Sequence, residues 1–228
     1  LHRTIVSAQP VVLAPSSKKS STGQAATPTG PDEDVCPATS QVAANDRVAA
    51  CERLLAKAAD DKAKLTALGN LAVSLSMARR TDEAIRKYEQ AAALAPRDAT
   101  IYYDIGLVRL DQRRFKEAYS AFEKAATIDN KNPDIVFQRG VAVMGFGDVE
   151  KARLEVKRAL LTKDDAGYYE KLGEIEIARG ALDSAKTALE RGRKAESSRQ
   201  SLSPAAVNYF VGDLDQAGAQ ATASLRSP

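Results

Sequence analysis

The stretch Ala99–Asn132, ATIYYDIGLVRLDQRRFKEAYSAFEKAATIDNKN, decides how the rest of the chain is read. In its first half Tyr102, Ile105, Gly106 and Leu110 recur at helical spacing, and in its second half Phe115, Ala118, Phe122, Ala125 and Ile128 do the same. Each half therefore carries one apolar stripe, the mark of an amphipathic helix. Gly106 and Ala118 fall near the middle of the two stripes, where small side chains let two backbones come close. The polar run Asp129 to Asn132 stops the second helix, and Pro133 opens another. A single hairpin of this size cannot bury both stripes, so it requires neighbours of its own kind.

Those neighbours recur at a nearly constant spacing of 34 positions. One step forward, Val136, Arg139, Gly140, Val149, Ala152, Val156 and Ala159 take corresponding places. One step back lie Leu68, Leu71, Ala72, Thr81, Ala84, Tyr88, Ala91, Leu94 and Pro96. A fourth copy carries Tyr169, Leu172, Gly173, Leu182, Ala185, Leu189 and Gly192. This pattern resembles the tetratricopeptide repeat family, whose unit is a helix–turn–helix of about 34 residues. The resemblance implies an all-α right-handed superhelix, a solenoid of stacked hairpins. The expected repeats are residues 65–98, 99–132, 133–165 and 166–197, flanked by a degenerate capping unit at 35–64 and a shortened closing hairpin at 198–228.

Residues 1–34 differ in character, being rich in Ser, Thr, Pro, Gly and Lys without a helical stripe, and read as a disordered tail or linker. Its apolar clusters, Ile5-Val6 and Val11 to Leu13, are stray hydrophobes or a docking segment. In the capping unit a short first helix is expected near Pro37 and a second over Asp46–Ala59. After Ala195 the polar run from Glu196 to Ser203 reads as a break, followed by a short helix from Pro204 and a last one from Leu214. Gly147 and Gly180 mark the turns inside two repeats, and Asp60-Asp61 and Asp164-Asp165 fit helix caps between repeats.

The two cysteines, Cys36 and Cys51, both fall in the capping unit, at positions 6 and 21 of the repeat frame. Antiparallel helices that meet at positions 8 and 20 bring these two close. They are either two small buried hydrophobes or a disulfide that staples the capping helices together. Two sulfurs with no histidine nearby do not complete a tetrahedral zinc shell, so no metal is expected.

The chemistry of the chain points away from catalysis. Its one histidine, His2, lies in the tail, where it cannot be held beside a nucleophile. The carboxylates sit at exposed helical spacing beside Lys or Arg, and Gly145 to Gly147 lacks the residues of a phosphate loop. No cofactor is implied. A net charge of +3 over 228 residues, with both signs interspersed, argues against a nucleic-acid surface. No run reaches the roughly 18 apolar residues of a membrane span. The chain starts at Leu1 without an initiator Met, which suggests that an upstream piece was removed.

Binding is the better use. In such superhelices the first helix of each repeat lines the concave face, which serves as an extended binding surface. The resemblance places Asn70, Tyr103, Asp104, Asp111, Phe137, Gln138, Glu170, Lys171 and Glu174 on that face. Tyr103 and Phe137 hold the same position in consecutive repeats, so they are either an aromatic strip for a partner or packing between repeats. Asn70 and Gln138 suit the backbone of an extended peptide, and the acidic residues outweigh Lys171. The basic and amide clamp that some family members use for chaperone C-termini is not matched, since Gly69, Asn70, Val73 and Asp104 stand at its places.

The expectation is a non-catalytic module that binds a protein or peptide partner, with self-association as a further possibility. A cysteine bridge, a missing N-terminus and a linker-like tail suit a bacterial periplasm, cell envelope or secreted machinery; reduced cysteines suit an intracellular scaffold.

Overall fold

The computed structural model describes residues 31–37 and 41–199. Residues 1–30 of the expected tail and the closing hairpin beyond Arg199 lie outside the described residues. Within them the chain is a succession of helices: α1 (Asp32–Val35), α2 (Ala44–Lys57), α3 (Asp61–Met77), α4 (Thr81–Leu94), α5 (Ala99–Asp111), α6 (Phe115–Ile128), α7 (Pro133–Gly145), α8 (Val149–Leu160), α9 (Ala166–Ala178) and α10 (Leu182–Arg199). Each helix packs on the next in sequence, and α7 also touches α5 and α9. The α3/α4, α5/α6, α7/α8 and α9/α10 hairpins fall on the stretches read as repeats, with α3 beginning four residues before the expected start at 65.

The repeat boundaries are written in polar caps. Asp60, Asp98, Asn132 and Asp165 each precede a first helix and accept a hydrogen bond from its opening turn, on the amides of Ala63, Thr100, Asp134 and Gly167. These caps satisfy amides that have no partner inside the helix. Within each hairpin the turn needs one left-handed residue, met by Arg79, Arg113, Gly147 and Gly180. The core is a string of small clusters rather than one centre. Leu68, Ile85, Tyr88 and Ile101 share one, and Val143, Val156, Leu172 and Ile175 share another. Close approach depends on small residues: a Cβ added to Gly106 stands 2.4 Å from the Phe122 ring, and one added to Gly173 stands 2.8 Å from Leu189.

The ends depart from expectation. The first capping helix starts at Asp32 rather than near Pro37, and it ends at Val35 just before that proline. Its first turn holds Asp32, Glu33 and Asp34, which suit the positive end of a helix dipole, and Asp32 accepts from Arg53 of α2 at 2.7 and 2.9 Å. The helix thus begins three residues inside the stretch read as tail. The second capping helix is offset two residues toward the N-terminus, at Ala44–Lys57. Cys36 and Cys51 are joined by a disulfide with their Cα atoms 4.9 Å apart, tying the end of α1 to the middle of α2. At the other end α10 continues to Arg199, into the polar run expected to break it, because neither Gly nor Pro interrupts residues 193–199.

Candidate functional site

The first helices α3, α5, α7 and α9 form a row, and the row carries the residues singled out from the sequence. Asn70 of α3 is half-buried and lines an open groove of about 470 Å³ at the N-terminal end, with Thr66, Lys57 and Asp60 beside it and Leu54, Ala58, Ala63 and Ala67 supplying apolar walls.

On α5 and α7 the two aromatic rings are packed as well as partly exposed. Tyr103 is tilted against Phe122 of its own repeat, centroids 5.7 Å apart. Burial pushes its hydroxyl above the ordinary tyrosine range, against an opposing hydrogen bond with Gln138. Phe137 stacks on Tyr168 of the next repeat at 4.1 Å, with the planes within 13° of parallel. Tyr103 and Phe137 are each half-buried, so each serves the packing of the stack while remaining partly exposed.

The charges of the row are largely neutralised from within. Arg79, in the left-handed turn after α3, donates to both carboxylate oxygens of Asp111 at 3.2 Å. Lys171 pairs with Glu174 one turn away. Asp134 of α7 takes hydrogen bonds from Lys163, at 2.8 Å, and from the Tyr168 hydroxyl. Burial alone would raise the Asp134 carboxyl, but these two donors outweigh it and hold it below the usual carboxylate range. Glu170 is exposed and in no ion pair among the described residues.

Asp104 is the exception. It is half-buried on α5, and burial pushes its carboxyl up to about 6, opposed by a hydrogen bond from the Tyr88 hydroxyl and reinforced by the nearby Asp98. Tyr88 is itself only 4 % exposed and reaches Asp104 across the seam between the first two repeats. Among the described residues no Lys or Arg pairs with Asp104. The acidic tilt expected of this face therefore contracts to Asp104, with Glu170 at the rim.

Sequence reasoning missed Tyr88, Asp134, Lys163, Tyr168 and Arg79 as shapers of this face. Tyr88 was legible only as a stripe residue, because its hydroxyl leaves the core at the far edge of that stripe. Lys163 lies between helices, where periodicity carries no signal.

The comparisons with known proteins agree with this architecture. Sequence profiles of the tetratricopeptide repeat match residues 66–133 and 109–172. No curated protein matches the sequence. Among solved structures, that of MamA superposes with a TM-score of 0.60 at 17% identity, covering 68% of this chain and 90% of that one. MamA from residue 41 to its end, from Desulfovibrio magneticus RS-1, gives 0.61 at 16% identity, covering 69% and 88%. A thermophilic TPR protein of Thermus thermophilus gives 0.60 at 18% identity, covering 75% and 90%. At such identities the likeness is one of fold. Among the described residues no helix is long and apolar enough to cross a membrane. With four in-phase hairpins, turned at equivalent positions, and with repeat profiles matching across their centre, the chain belongs to the tetratricopeptide repeat family, a scaffold for protein interaction.

Proposed function

We propose that the chain is a non-catalytic scaffold whose row of first helices takes an extended segment of a protein partner, with a Lys or Arg side chain of that segment set against Asp104. The observation that carries this reading is the state of the Asp104 carboxylate, which is desolvated, held by one tyrosine hydroxyl and matched by no cation, while Asp111, Asp134 and Glu174 are all paired. A half-buried charge without a counter-charge is costly, and an incoming cation recovers that cost on binding. Asn70, at the groove beside α3, and Gln138, on α7, supply amides for a peptide backbone, and the partly exposed Tyr103 and Phe137 supply apolar contact.

Peptide display on the intact chain tests this. Enriched sequences are expected to carry Lys or Arg at one fixed position, and that preference is expected to vanish on Asp104→Asn. Enrichment without a basic position removes the role of Asp104, and binding untouched by Asp104→Lys together with Tyr103→Ala moves the partner off this face.

The Cys36–Cys51 bridge supports an oxidising setting, and with it a role in assembling or maintaining bacterial envelope or secreted machinery. Thiol titration of denatured protein taken from its own compartment checks this: two free thiols there return the chain to an intracellular scaffold.

A further inference from the structure

We propose that the groove between α6 and α8, on the side of the repeats formed by the second helices, is a binding site for an oxyanion, a carboxylate or a phosphoryl group, held by Arg139 and Arg158. The groove has a volume of about 420 Å³ and is lined by Glu123, Ala126, Thr127 and Asn130 of α6 and its C-terminal turn, Val136 and Arg139 of α7, and Arg158 of α8.

Arg139 breaks the repeat pattern. It holds the seventh position of its repeat, where the others have Leu71, Ile105 and Leu172. Across the hairpin its partner Glu155 stands where the flanking repeats have Ala121 and Ala188. An aliphatic–alanine contact has thus been exchanged for an ion pair whose side chains are each 14% exposed, with Arg139 Nη2 donating to Glu155 at 2.6 Å. Stability does not explain such an exchange, since hydrophobic residues of similar volume serve a buried position as well or better. Nor is the guanidinium satisfied: Arg139 Nε is buried and has no hydrogen-bond partner. A buried donor left without an acceptor costs the desolvation of that group, which a bound oxygen restores.

The surroundings decide the charge of the ligand. Glu155 neutralises Arg139, so the cation left to meet a ligand is Arg158, which is exposed and makes no ion pair among the described residues. Glu123 also lines the groove; it accepts from the Tyr119 hydroxyl at 2.7 Å, and its charge is offset by Lys151, which donates to that hydroxyl at 2.9 Å. The C-terminal end of α6 presents about half a negative charge, which opposes an anion but is smaller than the full charge of one guanidinium. The Arg158 guanidinium, the unpartnered Nε–H of Arg139 and the Asn130 amide offer the N–H donors to which the oxygens of carboxylates and phosphates bind.

The test follows the Arg139 Nε–Hε resonance of the full chain, labelled with ¹⁵N-arginine, during titration with sodium phosphate and separately with sodium acetate, chloride holding ionic strength constant. The resonance is assigned by its absence from Arg139→Met/Glu155→Ala, which restores an apolar pair of the kind in the flanking repeats and so keeps the fold. A saturable shift is expected, with the affinity falling about tenfold in Arg158→Gln, the loss of one charge-assisted contact. A shift with phosphate alone assigns the site to a phosphoryl group; a shift with acetate assigns it to a carboxylate. A resonance moved by neither salt, or moved equally in Arg158→Gln, overturns the proposal.

Discussion

Arg113 and Gly147 stand 34 residues apart at the same turn of consecutive hairpins, and both are left-handed, with φ of 58° and 95°. The turn geometry is therefore a property of the repeat, and the residue that occupies it is free to vary at a cost. A non-glycine residue in this region is disfavoured by about 1 kcal/mol. Arg113 is exposed, so Arg113→Gly is expected to stabilise the chain by about 0.5–1 kcal/mol, despite the added freedom of the unfolded backbone. Gly147→Ala is expected to cost about 1 kcal/mol, since no atom crowds the new methyl and backbone strain alone opposes it. Denaturant midpoints of the two variants check both signs. A destabilised Arg113→Gly means that the arginine side chain outweighs the strain of its backbone.

Two helix-interior glycines separate packing from propensity. At Gly69 an added Cβ meets nothing within 4 Å, whereas at Gly106 it stands 2.4 Å from the Phe122 ring. Gly69→Ala is expected to stabilise by about 0.5–1 kcal/mol, the helix-propensity difference. Gly106→Ala gains the same propensity but must displace a ring that is wholly buried, and a net loss of about 1–3 kcal/mol is expected. Thermal unfolding of the pair measures the contrast. Equal effects from both substitutions show that Phe122 can move aside.

The interior of the repeat array was legible in the sequence because its signal is periodic. Ala72, Gly106, Gly140 and Gly173 recur at one position, and the caps Asp98, Asn132 and Asp165 recur at another. The first capping helix was not legible, because four residues hold too little of a period to show. Its start is fixed instead by Arg53, which reaches Asp32 from 21 residues away. The candidate site was legible as a set of positions and not as a set of partners. Asp104 and Asp111 look alike in sequence and adjoin the same seam between the first two repeats, yet Asp111, at the end of α5, is paired by Arg79 of the preceding turn, while Asp104, midway along α5, meets Tyr88 of α4. Arg139 was visible as a member of the repeat pattern, but its meaning required knowing that Leu71 and Leu172 are buried at the same position.

The disulfide is expected to act locally. Its loop spans 15 residues, for which loop-closure entropy gives about 3 kcal/mol. In a repeat array each unit leans only on its neighbours, so the loss falls on the cap before it reaches the centre. In Cys36→Ser/Cys51→Ser, amide exchange is expected to quicken across α1 and α2 while α5 to α8 keep their protection. Uniformly faster exchange along the whole array means that the cap nucleates the stack rather than closing it.

Asp104 ties stability and binding to the same proton. Its carboxyl is raised from 3.8 in the unfolded chain to about 6 in the folded one, chiefly by burial. The folded state therefore binds the proton more tightly, and the stability this confers is complete below about pH 4 and lost as pH rises through about 6. The full separation corresponds to about 3 kcal/mol, and solvent screening at a half-buried site reduces it to about 1–2 kcal/mol. Asp104→Asn removes the ionisation and keeps an acceptor for Tyr88, so at pH 8 it is expected to be the more stable form by about that amount. The advantage is expected to shrink toward pH 4, where wild-type Asp104 is largely neutral. Paired denaturation of wild type and variant at several pH values cancels the other carboxylates and isolates this one. Binding runs the opposite way, because a cationic side chain from a partner favours the ionised carboxylate and draws its pKa down. Affinity for a Lys-bearing peptide is then expected to rise with pH through about 6 in the wild type and to lose that step in Asp104→Asn. A stability difference that follows this course with no matching step in affinity keeps the burial of Asp104 and removes it from the contact with the partner.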